Sequence, residues 1–196
     1  GPVFDLVKLG WVNNQHMKLK DLGELTRLTI PFFVNEGYLT NENVSEKEFE
    51  TLKKIVEIER EGAKTLKELA KNSKFFFVDE FSLPEVKEDM DKKERKSVER
   101  LLNSLKDEVG LKSIKLFIEK LEKWEGNEFT AEQAKDLLHS LLDDLQEGPG
   151  KIFMPLRAVL TGATKGADLY NILYVIGKER ALKRIKDTVK KYNIAL

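Results

Sequence analysis

Arg157, Lys165, Lys178 and Arg180 flank two short turns near the chain's end, at 162–167 and at Gly177, and Arg184 follows one turn later. Cations spaced this way around glycine turns suit the holding of anions, not the making or breaking of bonds. The wider charge distribution agrees. Residues 1–150 hold 24 Lys and Arg against 31 Asp and Glu, whereas residues 151–196 hold 10 against 3. Net charge is zero, so the basic end is an asymmetry and not an excess; it points to one polyanion-facing surface with the acidic part turned to solvent. Terminal helices are also often Lys-rich, so the asymmetry alone does not select nucleic acid.

Residues capable of catalysis do not assemble. The two histidines, His16 and His139, are far apart in sequence, and His139 lies in a Leu-rich stretch that makes it a half-buried packing residue. Without cysteine there is no disulfide framework and no thiolate metal or redox site; with only scattered carboxylates besides, no metal-ligand set is spelled out. Asp143 and Asp144 are adjacent and point to different sides of a helix. The run Gly162-Ala-Thr-Lys-Gly166 lacks the Lys-Ser/Thr of a phosphate loop and follows no strand, so it is not one. No nucleophilic triad can be built, and the sequence contains nothing that reads as an active site.

The elements positioning these cations are helices. Gly148-Pro149-Gly150 breaks the chain, and Pro155 is placed where a helix can start. Leu156, Val159 and Leu160 give that helix its apolar face, and Thr161-Gly162 closes it. Asp168 is an N-cap for the next, with Leu169, Ile172, Leu173 and Ile176 on one side. Gly177 stops it, and a further helix from Lys178 carries Leu182, Ile185 and Val189. Upstream, Asp21 with Glu24, Ser45 with Glu48 and Thr130 with Gln133 are capping-box spacings. Pro31 and Gly37 end the first of these helices. Asp91 caps a helix running through Val109 to a stop at Gly110, and Ser113 to Trp124 forms another. In 75–84, FFFVDEFSLP, four phenylalanines could offer a stacking platform for unpaired bases, but the spacing reads better as an apolar plug over a helix pair. No strand alternation and no fixed repeat appears. The expectation is an all-α fold of about nine helices in two small subdomains, 21–110 and 111–196, preceded by a linker at 1–20.

Hydrophobic content of 41% with 35% charge describes a helix-rich globular chain. No apolar run approaches the roughly 18–20 residues of a membrane span, and no signal-peptide pattern opens the chain. Gly1-Pro2 reads as the remnant of a protease site, which makes Val3 the first native residue.

Two segments carry a resemblance. The run P-L-R-A-x-L-T-G (Pro155 to Gly162), then L-Y-x-I-L-x-x-x-G-K-E-R-x-L-x-R-I from Leu169, resembles the C-terminal end of bacterial glutamyl-tRNA synthetases. The opening F-D-x-x-K-L-x-W-V-N-x-x-H-M (Phe4 to Met17) resembles the segment following the catalytic half of those enzymes. Both occur in the family's order, and the middle matches loosely. The resemblance implies a tRNA anticodon-binding fragment of a glutamate–tRNA ligase, with the anticodon loop of the glutamate tRNA and its own catalytic half as partners. The HIGH- and KMSKS-like motifs are missing here, so ATP and magnesium would belong to that half. The fragment itself would need no cofactor or metal, would be unable to charge tRNA alone, and would be cytoplasmic without a membrane partner.

Carried over by position, the resemblance makes Arg157 a donor to a base edge or phosphate, and Lys165, Gly166, Ala167 and Leu169 the loop bracketing the anticodon bases. Guanidinium can bond bidentately and stack; a salt bridge tying the terminal helices is the structural alternative for Arg157. Lys151, Lys178, Arg180 and Arg184 would attract phosphates without regard to sequence. Ala167 replaces a proline frequent in the family. Where some members use an arginine to check the last anticodon base, this chain has Gly62, with Arg60 nearby, which implies relaxed discrimination between glutamate and glutamine tRNAs. Near the start, Asn13, Asn14 and His16 could touch RNA, while Phe4 and Trp11 would fasten the segment to a neighbouring domain. The rival class is an α-helical protein-interaction module without an RNA role. A duplex-DNA-binding helical domain is a third.

Overall fold

The fold comes from a computed structural model that describes residues 6–196; the side chains of 6–9 and 11 lie outside that description, and with them the roles expected of Phe4 and Trp11. Ten helices and no strand occur among the described residues. The chain divides into two compact units, Gly1–Val78 and Asp79–Leu196. The division expected near Gly110 therefore falls some thirty residues earlier, at Val78–Asp79.

The first unit comprises α1 (Leu6–Leu19), α2 (Leu22–Asn35), α3 (Glu46–Glu59), α4 (Leu66–Asn72) and α5 (Lys74–Phe77). Its core joins Leu25, Ile30 and Phe33 of α2 to Leu52, Ile55 and Val56 of α3 and Leu69 and Ala70 of α4. Ser45 and Glu48 close the expected capping box on α3. At α2, Asp21 accepts from the Glu24 amide, but the Glu24 carboxylate turns to Lys20 instead. Pro31 does not end α2. The helix runs through it to Asn35, because Ile30 and Phe33 on either side of the proline are buried, and that burial outweighs the roughly 3 kcal/mol an interior proline costs. Gly37, at φ 76°, supplies the ending: its amide bonds Val34 and that of Tyr38 bonds Phe33, a Schellman arrangement.

The second unit contains α6 (Lys92–Ser104), α7 (Glu108–Lys123), α8 (Ala131–Leu145), α9 (Pro149–Thr161) and α10 (Leu169–Lys191). Its centre is α9, which packs against each of the other four and buries Ile152, Leu156, Val159 and Leu160 completely. Each such side chain contributes about 1.5–3 kcal/mol. The helix begins at Pro149, not Pro155, with Gly148 as its N-cap. Pro149 takes the first helical position, where a missing amide costs least, and Pro155 is a buried interior residue. The long helix expected from Asp91 to Val109 is two helices. It stops at Ser104, and Asp107 caps α7 through the amides of Val109 and Gly110. Gly110 is thus inside a helix; a Cβ there would lie 1.8 Å from the Ser104 carbonyl oxygen, so the residue permits a close turn instead of stopping an element.

Gly177 breaks α10, as its sequence position implies, with φ 73° and ψ 177°. The restart is capped from a distance. Asn127 accepts the Lys178 amide on its carbonyl and the Glu179 amide on its side-chain oxygen. His139, expected to be half-buried, is exposed, because Ala134, Leu138 and Leu141 form the buried face of α8 and His139 sits off it.

Candidate functional site

Helix α9 presents Arg157 on the turn before its C-terminus, and the loop 162–168 folds back over that side chain. Gly162 ends the helix in the left-handed conformation. Thr161 turns its hydroxyl to the Arg157 carbonyl at 2.8 Å and accepts the Ala163 amide on the same oxygen, which starts the loop in a fixed direction. The Nη1 of Arg157 donates to the Ala167 carbonyl at 3.0 Å. Burial works against the guanidinium charge and lowers its pKa, and the Asp168 carboxylate opposes that shift. This arginine is half-buried, fastened to the loop on one edge and carried on a helix whose inner face is fully buried. Such a group meets a ligand with little ordering left to lose.

Around it, Lys165 and Gly166 are exposed and Ala167 half-exposed, so the loop offers one free-standing ammonium beside open backbone. Gly166 has φ 145°. Leu169 is 5% exposed: it fixes the loop's end in the core, and its side chain is not offered to a ligand. Asp168 holds the N-cap position without a side-chain cap bond and bonds the Tyr170 hydroxyl instead. Burial, then Asp168, raises the Tyr170 pKa. Tyr170 was not singled out by sequence; it places a half-exposed aromatic ring directly after the loop, next to Asp168.

The other expected cations are paired within the chain, Lys151 at the surface and the rest inward. Lys151 is exposed and pairs with Glu147 at 2.9 Å. Lys178 donates to the Trp124 carbonyl at 2.8 Å, serving the end of α7. Arg180 grips Asp79 through Nε and Nη2, and Arg184, 1% exposed, reaches the same carboxylate through Nε at 2.8 Å. Burial disfavours the Asp79 charge, but the two guanidiniums outweigh it and hold the carboxyl below its usual range. Arg184 in addition donates to the Leu160 carbonyl at 3.3 Å. Its buried position makes it part of the scaffold.

Arg60 and Gly62 lie in the first unit. Arg60 is the C-cap of α3, with Nη1 at 3.5 Å from the Lys20 carbonyl, and Gly62 is exposed with open space around its Cα. Asn14 donates to the carbonyls of Arg60 and Ala63, and Asn13 to that of Lys64. Those two amides therefore brace the 60–64 turn, whereas His16 is exposed. Among the described residues, no group of three or more His, Asp or Glu is placed to hold a metal ion, and no helix is long and apolar enough to cross a membrane.

The helical chain matches a known family: the anticodon binding domain model fits residues 24–189, and the chain belongs to that family. Within it the similarity runs to glutamate–tRNA ligases. The enzyme of Fusobacterium nucleatum is 92% identical over the whole chain, and that of Caldicellulosiruptor saccharolyticus 36% identical over 97% of it. A crystal structure of the glutamate tRNA ligase from Elizabethkingia meningosepticum superposes with a TM-score of 0.72 at 26% identity over 97% of the chain. The chain spans 38% and 36% of the first two relatives and 33% of the third.

Proposed function

We propose that this chain reads the anticodon loop of a glutamate tRNA on behalf of a glutamate–tRNA ligase. The observation carrying the reading is Arg157: half-buried, braced on Ala167 and bordered by an exposed loop, within a member of the anticodon binding domain family. RNA loops are recognised by splaying bases out, stacking them and bonding their edges. Arg157 Nη2 and Nε supply edge donors, Tyr170 supplies a ring face, and the backbone at 165–167 supplies further polar groups. Lys165 attracts phosphates in a salt-dependent way. Lys178, Arg180 and Arg184 contribute to the local potential while their donors serve the fold.

The chemistry of charging, with ATP and magnesium, belongs in this reading to the remainder of a longer cytoplasmic enzyme, and the chain alone attaches no amino acid. Gly62, which has no side chain to test a base, supports charging of both glutamate and glutamine tRNAs by the parent enzyme. A strong preference of that enzyme for the glutamate tRNA over the glutamine tRNA would refute this second point. The main reading is tested by titrating the chain with a glutamate-anticodon stem-loop and with the same stem carrying a scrambled loop. Binding at least about tenfold tighter to the anticodon loop is expected; equal binding would overturn it.

A further inference from the structure

Residues 79–83 run as a short strap without helical structure in the second unit, attached to α10 along its length and closing on the end of α9. Asp79 is held by Arg180 and Arg184, and Arg184 bridges that carboxylate to the Leu160 carbonyl. Leu160 is in the last turn of α9, where carbonyls have no helical partner and a cation is favoured. Thr188 adds a second contact there, at 3.4 Å from the Val159 carbonyl. The Phe81 ring and the Ser82 carbonyl lie directly behind Gly162: a Cβ at that position would meet them at 2.5 and 2.7 Å. Lys191 donates to the Phe81 carbonyl and the Ser82 hydroxyl, and the Leu83 amide donates to the Tyr192 hydroxyl at 2.8 Å.

We propose that residues 79–83 are a positioning strap for the RNA-facing loop 163–168. The strap acts through Arg184 on the α9 terminus and through Phe81 against Gly162. The inference rests on the reading of that loop as the anticodon contact. Its physical content is a chain of contacts from Asp79 through Arg184 to Leu160, and on through Gly162 to the loop that Arg157 grips. Helix α9 cannot shift at its C-terminus without breaking the hydrogen bond from Arg184 to the Leu160 carbonyl, and that guanidinium is itself pinned by the ion pair with Asp79. Gly162, in turn, cannot accept a side chain because the strap occupies that space. Loop geometry is thereby set from the face opposite the ligand, and Asp79 is a positioning residue that need not touch RNA.

The test uses this chain with Asp79→Asn, its conservative partner Asp79→Glu, and Lys191→Ala, which loosens the strap from an exposed site and remains informative if Asp79→Asn fails to fold. In the free proteins, amide hydrogen exchange across 163–168 is expected to quicken about tenfold in Asp79→Asn relative to α8 amides, with a smaller effect in Lys191→Ala and partial recovery in Asp79→Glu. In binding, the preference for the glutamate-anticodon loop over the scrambled loop is expected to fall about fivefold, and in an Arg157→Ala background no further fall is expected. Unchanged exchange at 163–168 overturns the strap, as does an equal loss of affinity for both loops. Wild-type protein that binds both loops equally would instead remove the anticodon reading, and the exchange result would still decide the strap.

Discussion

At Glu59 the sequence shows a carboxylate on an otherwise charged helix, and the structure shows one with a pKa pushed up to about 7 by burial. The unfolded chain releases this proton near 4.5, so between about pH 4.5 and 7 the native state binds more protons and stability rises as pH falls. Above 7 the native state carries the full penalty of a buried charge, about 2 kcal/mol after allowance for partial solvent access. Glu59→Gln should therefore raise the melting temperature at pH 8 and leave it nearly unchanged at pH 5. A variant no more stable than wild type at pH 8 would show that the carboxylate is better solvated than its position implies. Residue identity at the site was partly legible. Arg157 and its loop follow from a motif, whereas Leu169, a loop residue by resemblance, follows its spacing with Ile172, Leu173 and Ile176 into the core. The inward ties of Lys178, Arg180 and Arg184 were out of reach, because their partners Trp124 and Asp79 lie 54 to 105 positions away.

Element boundaries were legible wherever the signal is local. Ser45, Asp91 and Thr130 cap their helices because each cap bond is made within two or three residues; Asp168 holds its N-cap position without such a bond. Boundaries failed where a proline or glycine answers to tertiary contact. Pro31 and Pro155 sit inside helices whose flanking residues are buried. Gly110 serves the approach of the Ser104 carbonyl, and Pro155 of α9 also borders that spot, 3.5 Å from where a Cβ would be. Gly110→Ala should accordingly destabilise the chain by about 2–3 kcal/mol, the cost of overpacking against backbone that cannot step aside. Denaturant unfolding measures this directly. A loss below about 0.5 kcal/mol, the size of an ordinary surface change, would mean that the α6–α7 turn yields easily.

For the whole molecule, the charge asymmetry and the all-α class were readable from the sequence, while the division at Val78–Asp79 was not. A boundary near Gly110 would put the helix of residues 92–104 in the first subdomain, yet that helix packs on α9 and α7 and buries Val98 and Leu101. The observed division places Asp79 at the head of the unit carrying Arg157 and its loop. In the second unit Lys178, Arg180 and Arg184 are committed to the fold, which leaves Arg157 and the exposed loop as the surface proposed to meet RNA. The decisive comparison is the affinity of the chain for a glutamate-anticodon stem-loop across a range of salt, wild type against Arg157→Ala. Binding should weaken with salt, because Lys165 and the basic surface displace counterions. At fixed salt the variant should lose about 1–3 kcal/mol. Wild-type binding with no salt dependence, or equal affinity of the Arg157→Ala chain, would contradict the anticodon reading.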